Sequence, residues 1–167
     1  MELLLIRHGQ AVDDAHGLGD AARWLTGKGR IATRKVGHWL AREPGRRPAA
    51  IWSSPLVRAV QTAEILAEAA GLTDDVSIVA ELLPGATPEA VLARAVHHDG
   101  PGPLALVGHE PGLSELAVRL LGDAVEWPGF KKSGVLAVSF CPGEPSTLRF
   151  LLVPKELRVR RELSAKP

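Results

Sequence analysis

Two short apolar runs of this chain each end in a histidine. Arg7-His8-Gly9 follows the first run, residues 3–6, and Gly108-His109 follows the second, residues 104–107. An unbroken aliphatic run of this length is typical of a buried strand, and open α/β sheets bind ligands at the carboxyl ends of their strands. Gly9 permits a sharp turn and a close approach of the backbone to a ligand. We therefore expect both histidines to share one site.

An arginine at the start of a predicted helix suggests the ligand of that site. We predict a helix that opens at Ser54-Pro55, with Ser54 as N-cap and Arg58 in the first turn. A helix N-terminus favours an anion, and the guanidinium fork matches phosphate oxygens. Arg7 supplies a second fork, and His109 precedes another helix start. This combination predicts a pocket for a doubly charged phosphoryl group.

The elements that position these groups alternate between strand and helix. Predicted strands cover residues 3–6, 51–53, 76–79, 104–107, 135–140 and 148–153, and predicted helices cover about 26–41, 54–70, 87–97 and 110–121. Such alternation favours an α/β sheet covered by helices on both faces. We expect one three-layer α/β/α domain over residues 1–167, with a mostly parallel central sheet and a tail from about residue 155 that forms a short terminal element with a frayed end.

Composition excludes several function classes. The chain has 167 residues, a net charge of +1 and 4% aromatic residues, so nothing favours nucleic-acid binding. Cys141 is the only cysteine, which excludes an internal disulfide and a thiolate metal cluster. The sequence shows neither a signal-like N-terminal region nor an apolar stretch that could span a bilayer. We expect a cytoplasmic protein without membrane or nucleic-acid partners.

A third segment lies between Arg7-His8-Gly9 and Gly108-His109 in the sequence. It covers residues 53–62 and reads Ser-Ser-Pro-Leu-Val-Arg-Ala-Val-Gln-Thr. Together they resemble the signature segments of the histidine phosphatase superfamily, which has the phosphoglycerate-mutase-like fold. The resemblance is closer to its short branch, that of the SixA-like phosphohistidine phosphatases, and it covers nearly the whole chain. Further matching segments include Arg23 with residues 25–29, and residues 81–85, 108–113 and 132–134. Trp24 departs from the family, where a proline often follows the arginine.

The resemblance implies covalent phosphoryl transfer without a metal or other cofactor. His8 would attack phosphorus through one neutral ring nitrogen and form a phosphohistidine that water hydrolyses. The other nitrogen should then donate to a nearby carbonyl, and the cations Arg7 and Arg58 should disfavour protonation of His8. With His109, these arginines would bind the phosphoryl oxygens and stabilise their charge.

Glu81 and Arg23 each have two interpretations. An acidic residue near Glu81 serves as proton donor in the wider superfamily, which makes Glu81 a candidate general acid. Imidazole leaves far more readily than an alkoxide, so a phosphohistidine substrate needs such a donor less, and Glu81 would then be a solvated or helix-capping carboxylate. Arg23 either contacts the substrate or forms a surface salt bridge.

The short intervals between the site segments suggest the class of substrate, because they leave few residues that could cover the site. The intervals between Arg7-His8-Gly9, Arg58 and His109 are compact, and an open site suits a phosphorylated side chain on another protein. We therefore expect hydrolysis of phosphohistidine on a protein. Two alternatives stay open: a phosphatase of small phosphate esters, which Glu81→Gln should slow sharply, and a phosphate-binding regulatory module without turnover. A mutase would need a closing lid.

Overall fold

The computed structural model of the protein describes residues 1–13, 17–72 and 76–166, which form one α/β fold. Its strands are β1 (Glu2–Arg7), β2 (Ala50–Ser53), β3 (Val76–Ile78), β4 (Leu104–Gly108), β5 (Val135–Ser139), β6 (Thr147–Val153) and β7 (Arg158–Arg160). Its α-helices are α1 (Gly27–Ala41), α2 (Val57–Ala70), α3 (Pro88–Ala95) and α4 (Gly112–Leu121). The described part of the chain has no helix long and apolar enough to cross a bilayer.

The strands form a single mixed sheet in the order β3-β2-β4-β1-β5-β6-β7. The pairs β3–β2, β2–β4 and β4–β1 are parallel, whereas β1–β5, β5–β6 and β6–β7 are antiparallel. The prediction of a mostly parallel sheet is therefore wrong. Residues 140–146 and 154–157 are too short to carry a helical crossover, so the strands that they connect run antiparallel.

Strand β1 lies inside the sheet and is buried on both faces. Leu3 and Leu5 pack into the core on one face, and Leu4 and Ile6 pack into the core on the other. Helices α3 and α4 cover the first face, and α1 and α2 cover the second. Side chains that alternate along a strand point to opposite faces, which is why this aliphatic run has no polar position. The predicted three-layer α/β/α arrangement is confirmed.

Two helix starts differ from the prediction. Helix α2 begins at Val57 rather than at Ser54-Pro55, and Leu56 is its N-cap, without a side-chain cap. Helix α4 begins at Gly112, two residues after the predicted start. Thr26 and Thr87 cap α1 and α3 with their hydroxyl groups. Arg58 still lies in the first turn of α2, so the predicted placement of its guanidinium does not depend on the cap.

The C-terminal tail is paired along most of its described length. Strand β7 extends the sheet beside β6. Further on, Glu126 N donates to Ser164 O at 2.8 Å, and Lys166 N donates to Ala124 O at 2.9 Å. The tail thus pairs with the connection between α4 and β5, where we had expected a frayed end.

Candidate active site

The ends of β1 and β4 bring the two histidines together. Arg7 and Gly108 are paired in the parallel register, so His8 and His109 leave adjacent strands at the same level. Their ring centroids are 5.0 Å apart, and each residue is 5% exposed. His8 N donates to Gly108 O at 3.1 Å, which joins the two segments directly. The structure thus places both predicted site histidines in one buried cluster.

A backbone carbonyl sets the tautomer of His8. Its Nδ1 lies 2.7 Å from Gly9 O. A carbonyl oxygen can only accept, so Nδ1 carries the proton and Nε2 keeps its lone pair. Gly9 N in turn donates to Thr62 Oγ1 at 3.0 Å. A Cβ on Gly9 would lie 2.7 Å from Thr33 Oγ1, so only glycine fits there without a shift of its neighbours.

Both histidines are held neutral. Burial, and then the charges of Lys132 and Arg58, lower the pKa of His8 to about 3, against the opposing effect of the Gly9 carbonyl. Burial and then Arg58 lower the pKa of His109 to about 4. The predicted effect of Arg58 on His8 has the right sign, but desolvation is the larger cause. Nε2 of His8 is therefore an unprotonated nitrogen at neutral pH.

Ser54 contacts His109 instead of capping a helix. His109 Nε2 lies 2.8 Å from Ser54 Oγ, and both residues are buried. Leu56 N donates to the same Oγ at the longer distance of 3.4 Å. The sequence interpretation that capping explains Ser54 is therefore wrong, because α2 begins three residues later than its Ser-Pro signal indicates.

Asp20 forms hydrogen bonds with two arginines that were predicted to belong to the site, Arg58 and Arg23. Arg58 Nη2 donates to Asp20 Oδ2 at 2.8 Å, and Arg23 Nη1 donates to Asp20 Oδ1 at 2.9 Å. Arg58 Nη1 also donates to Asp20 O at 2.7 Å. These hydrogen bonds, that of Arg58 first, lower the pKa of the Asp20 carboxyl. Arg23 therefore forms a salt bridge, which was one of its two predicted roles. Its partner Asp20 also pairs with the buried Arg58, whose side chain is 6% exposed.

Arg7 is held by the connection that precedes β5. Its Nη1 donates to Phe130 O at 2.7 Å, and Phe130 N donates to Glu110 Oε1 at 2.8 Å. Lys132 belongs to the same cationic group, because burial, then Arg7, Arg23 and Arg58, lower its pKa, whereas Glu110 raises it. Arg58 and Lys132 lower the pKa of both histidines, and Arg7 lowers that of His109.

Three buried nitrogen atoms of the site have no hydrogen-bond partner among the described residues: Arg7 Nε, Arg58 Nε and His109 Nδ1. Leaving a buried donor unsatisfied costs about 1–3 kcal/mol, so each such group needs an explanation. A phosphoryl group offers several anionic acceptors and suits a cluster of cationic donors. The unused hydrogen-bonding capacity is therefore what a pocket for such a ligand requires.

The carboxylate of Glu81 forms an ion pair with Arg94 rather than a hydrogen bond with either histidine. It follows β3 in a short 3₁₀ turn, and its Oε1 lies 3.3 Å from Arg94 Nη1. Glu81 and His109 line the same small cavity of about 20 Å³. Glu81 thus shares a cavity lining with His109, and its carboxylate forms an exposed ion pair with Arg94.

Four residues of this cluster carried no role in the sequence analysis: Asp20, Glu110, Phe130 and Lys132. Glu110 and Lys132 fall inside segments that match the family, which was the available signal. Asp20 and Phe130 had none, because their contacts join positions far apart in the chain. The described residues hold no group of three or more His, Cys, Asp or Glu side chains that could bind a metal ion.

Comparisons with known sequences point to one family. A sequence model of the histidine phosphatase superfamily (branch 1) matches residues 3–83. An uncharacterized protein of Picosynechococcus sp. (strain ATCC 27264 / PCC 7002 / PR-6) is 38% identical over 141 residues, which cover 83% of this chain and 84% of that protein. The phosphohistidine phosphatase SixA of Escherichia coli (strain K12) is 25% identical over 165 residues, which cover 98% of this chain and 100% of that protein.

A solved structure extends the similarity to the fold. The protein histidine phosphatase SixA complexed with tungstate superposes with a TM-score of 0.81 at 26% identity. The superposition covers 95% of this chain and 100% of that one.

Proposed function

This chain belongs to the histidine phosphatase superfamily, and we propose that it removes phosphoryl groups from histidine side chains of another protein through a phosphohistidine on His8. One observation carries the proposal. The Gly9 carbonyl fixes the proton on Nδ1, which leaves Nε2 as an unprotonated nucleophile in a buried cationic pocket. A binding module has no need of such a nucleophile.

The proposed reaction has two displacements at phosphorus. In the first, the Nε2 lone pair of His8 forms a P–N bond as the P–N bond to the substrate imidazole breaks, and the departing imidazole takes up a proton from solvent water. In the second, water attacks phosphorus, loses a proton, and the P–N bond to His8 breaks, which restores Nε2 and releases phosphate. Arg7, Arg58 and His109 bind the phosphoryl oxygens and stabilise their charge throughout.

The leaving group favours phosphohistidine over an ester. An alkoxide needs a proton from a positioned acid, whereas imidazole leaves readily. The nearest predicted acid, Glu81, is in an ion pair with Arg94 and is not hydrogen-bonded to either histidine. A relative named as a phosphohistidine phosphatase, similar over 98% of this chain, supports the same substrate class.

A phosphatase of small phosphate esters is the second candidate. It is favoured by the small cavity that Glu81 shares with His109. In this candidate the Glu81 carboxylate would leave Arg94 and act as general acid for the departing alkoxide. If the protein hydrolyses small esters, turnover should depend on Glu81. If it hydrolyses phosphohistidine, turnover should not depend on Glu81.

Phosphate release from a histidine-phosphorylated carrier domain, compared with release from small phosphate esters at equal concentration, tests the proposal. We expect faster release from the carrier, lost in His8→Ala and nearly unchanged in Glu81→Gln. A preference for esters together with a strong effect of Glu81→Gln would replace the proposal with the second candidate. Tight vanadate binding without release from either substrate would leave only the phosphate-binding module.

A further inference from the structure

We infer that Glu110 is a positioning residue for Arg7 and that it acts through the backbone of Phe130. The inference rests on the proposed function in one respect, namely that Arg7 binds a phosphoryl group or its analogue. Glu110 itself touches no reacting atom in this account.

The backbone of Phe130 lies between a carboxylate and a guanidinium. Its N–H donates to Glu110 Oε1 at 2.8 Å, and its carbonyl accepts from Arg7 Nη1 at 2.7 Å. Both hydrogen bonds involve a charged partner, and such bonds are shorter and stronger than neutral ones. The N–H and the carbonyl belong to the two successive peptide groups that meet at the Phe130 Cα atom. The position of the carboxylate thus determines where the carbonyl that holds Arg7 lies.

The carboxylate of Glu110 is itself fixed at the start of α4. Ser114 Oγ lies 2.9 Å from Oε1, and Ser114 N donates to Oε2 at 3.2 Å. The helix N-terminus also favours this negative charge. Trp127 Nε1 donates to Ser114 Oγ at 2.8 Å, and the Trp127 and Phe130 rings pack with centroids 4.9 Å apart. Glu110 therefore ties α4 to the connection that contains Phe130.

An indirect link has an advantage over a direct ion pair. Among the described residues, no carboxylate lies within salt-bridge distance of Arg7, whereas Asp20 contacts both Arg58 and Arg23. Glu110 orients Arg7 through a neutral carbonyl and leaves the positive charge available to an anion. Its charge also raises the pKa of Lys132, which helps to keep that ammonium protonated. The same carboxylate thus supports two cations without neutralising either by contact.

Binding of orthovanadate, measured by calorimetry, tests the inference without any turnover. Methionine has the length of glutamate but no oxygen to accept from Phe130 N, and we expect Glu110→Met to weaken vanadate binding about 10-fold, the loss of one oriented charged contact. In an Arg7→Ala background the same substitution should cost less than about 2-fold, because the residue through which it acts is gone. Glu115→Ala, which removes an exposed glutamate one turn into the same helix, is the matched control and should change nothing.

Glu110→Gln separates positioning from general structural support. Its amide oxygen can still accept from Phe130 N, so we expect affinity within about 3-fold of the unmodified protein. A loss in Glu110→Gln as large as in Glu110→Met, or an equal loss with and without Arg7, would overturn the inference. If Glu110→Met does not fold, Ser114→Ala takes its place, because it removes a hydrogen bond that fixes Glu110 Oε1 and should weaken vanadate binding only when Arg7 is present. A protein that binds vanadate as expected yet hydrolyses no phosphohistidine would overturn the proposed function and leave this inference standing.

Discussion

His109 Nε2 lies 2.8 Å from the hydroxyl oxygen of Ser54, in a part of the site where both side chains are buried. The contact joins the end of β4 to the residue that follows β2. One nitrogen of the His109 ring is thereby engaged, whereas Nδ1 has no partner among the described residues. The Ser54 hydroxyl therefore orients a ring whose other nitrogen is available to a ligand.

Removing that hydroxyl should affect activity as well as stability. We expect Ser54→Ala to lower the free energy of unfolding by about 1–2 kcal/mol, because a buried ring nitrogen loses its partner. We also expect it to lower kcat/KM about 10-fold through misplacement of His109. Ser53→Ala is the matched control, since it removes a neighbouring buried hydroxyl that donates to the backbone carbonyl of Ser54 and contacts no side chain of the site. Urea unfolding and steady-state kinetics measure both effects; an unchanged kcat/KM in Ser54→Ala would contradict the orienting role.

The depressed pKa values of the histidines predict their titration. Since the pKa values of His8 and His109 lie at about 3 and about 4, neither ring should take up a proton between pH 8 and pH 5. The unfolded chain does take up these protons below about pH 6.5. The contribution of the neutral rings to stability is therefore complete above pH 6.5 and falls as the pH drops towards 4.

Nuclear magnetic resonance of the imidazole ring protons measures this titration directly. His8→Gln and His109→Gln assign the two sets of signals. We expect their chemical shifts to stay constant from pH 8 to pH 5. An inflection near pH 6.5 for either ring would show that burial and neighbouring cations do not hold it neutral.

Asp20 should act on substrate binding through Arg58. Asp20→Asn removes the charge that draws Arg58 and Arg23 together. We expect kcat/KM to fall about 10-fold, because the Arg58 guanidinium loses a fixed orientation for the phosphoryl oxygens. Asp13→Asn changes an exposed aspartate of the same loop and is the control. Equal kinetics for the two variants would show that Asp20 is only a surface partner of its arginines.

Lys132 should influence the site through its charge. Lys132→Met removes one of the cations that lower the pKa of His8, so the pKa of His8 should rise. The same loss of positive charge should weaken orthovanadate binding about 3- to 10-fold, in proportion to one partly screened charge. Lys131→Met, at the adjacent exposed lysine, should leave both quantities unchanged. Identical vanadate affinity in Lys132→Met and the unmodified protein would remove Lys132 from the site.

The sequence predicted the parts of the site that local patterns encode. Aliphatic runs followed by Arg7-His8-Gly9 and Gly108-His109 indicated two strands ending at one edge, and the structure confirms that β1 and β4 are parallel neighbours. The three-layer arrangement also followed, because strands and helices alternate along the chain. The sheet direction beyond β5 was missed, although the short Gly/Pro connection before β6 was a signal for antiparallel pairing.

Contacts between distant parts of the chain could not be predicted in the same way. Asp20 reaches Arg58 across 38 positions, and Glu110 reaches the Phe130 peptide across 20. No periodicity relates such pairs, since only the packed sheet and helices bring them together. The start of α2 was predicted too early for a related reason. The sequence around Ser54 indicates a helix cap, but in the fold its hydroxyl contacts His109, a residue far away in the chain.

The central claim is that His8 carries the phosphoryl group during turnover. Rapid acid-free quenching of the protein with a histidine-phosphorylated carrier, followed by peptide mass spectrometry, tests it most directly. We expect an acid-labile phosphoryl group on the peptide that contains His8, formed faster than phosphate is released and absent in His8→Ala. Phosphate release at an unchanged rate in His8→Ala, or a phosphoryl group found on His109 instead, would contradict it.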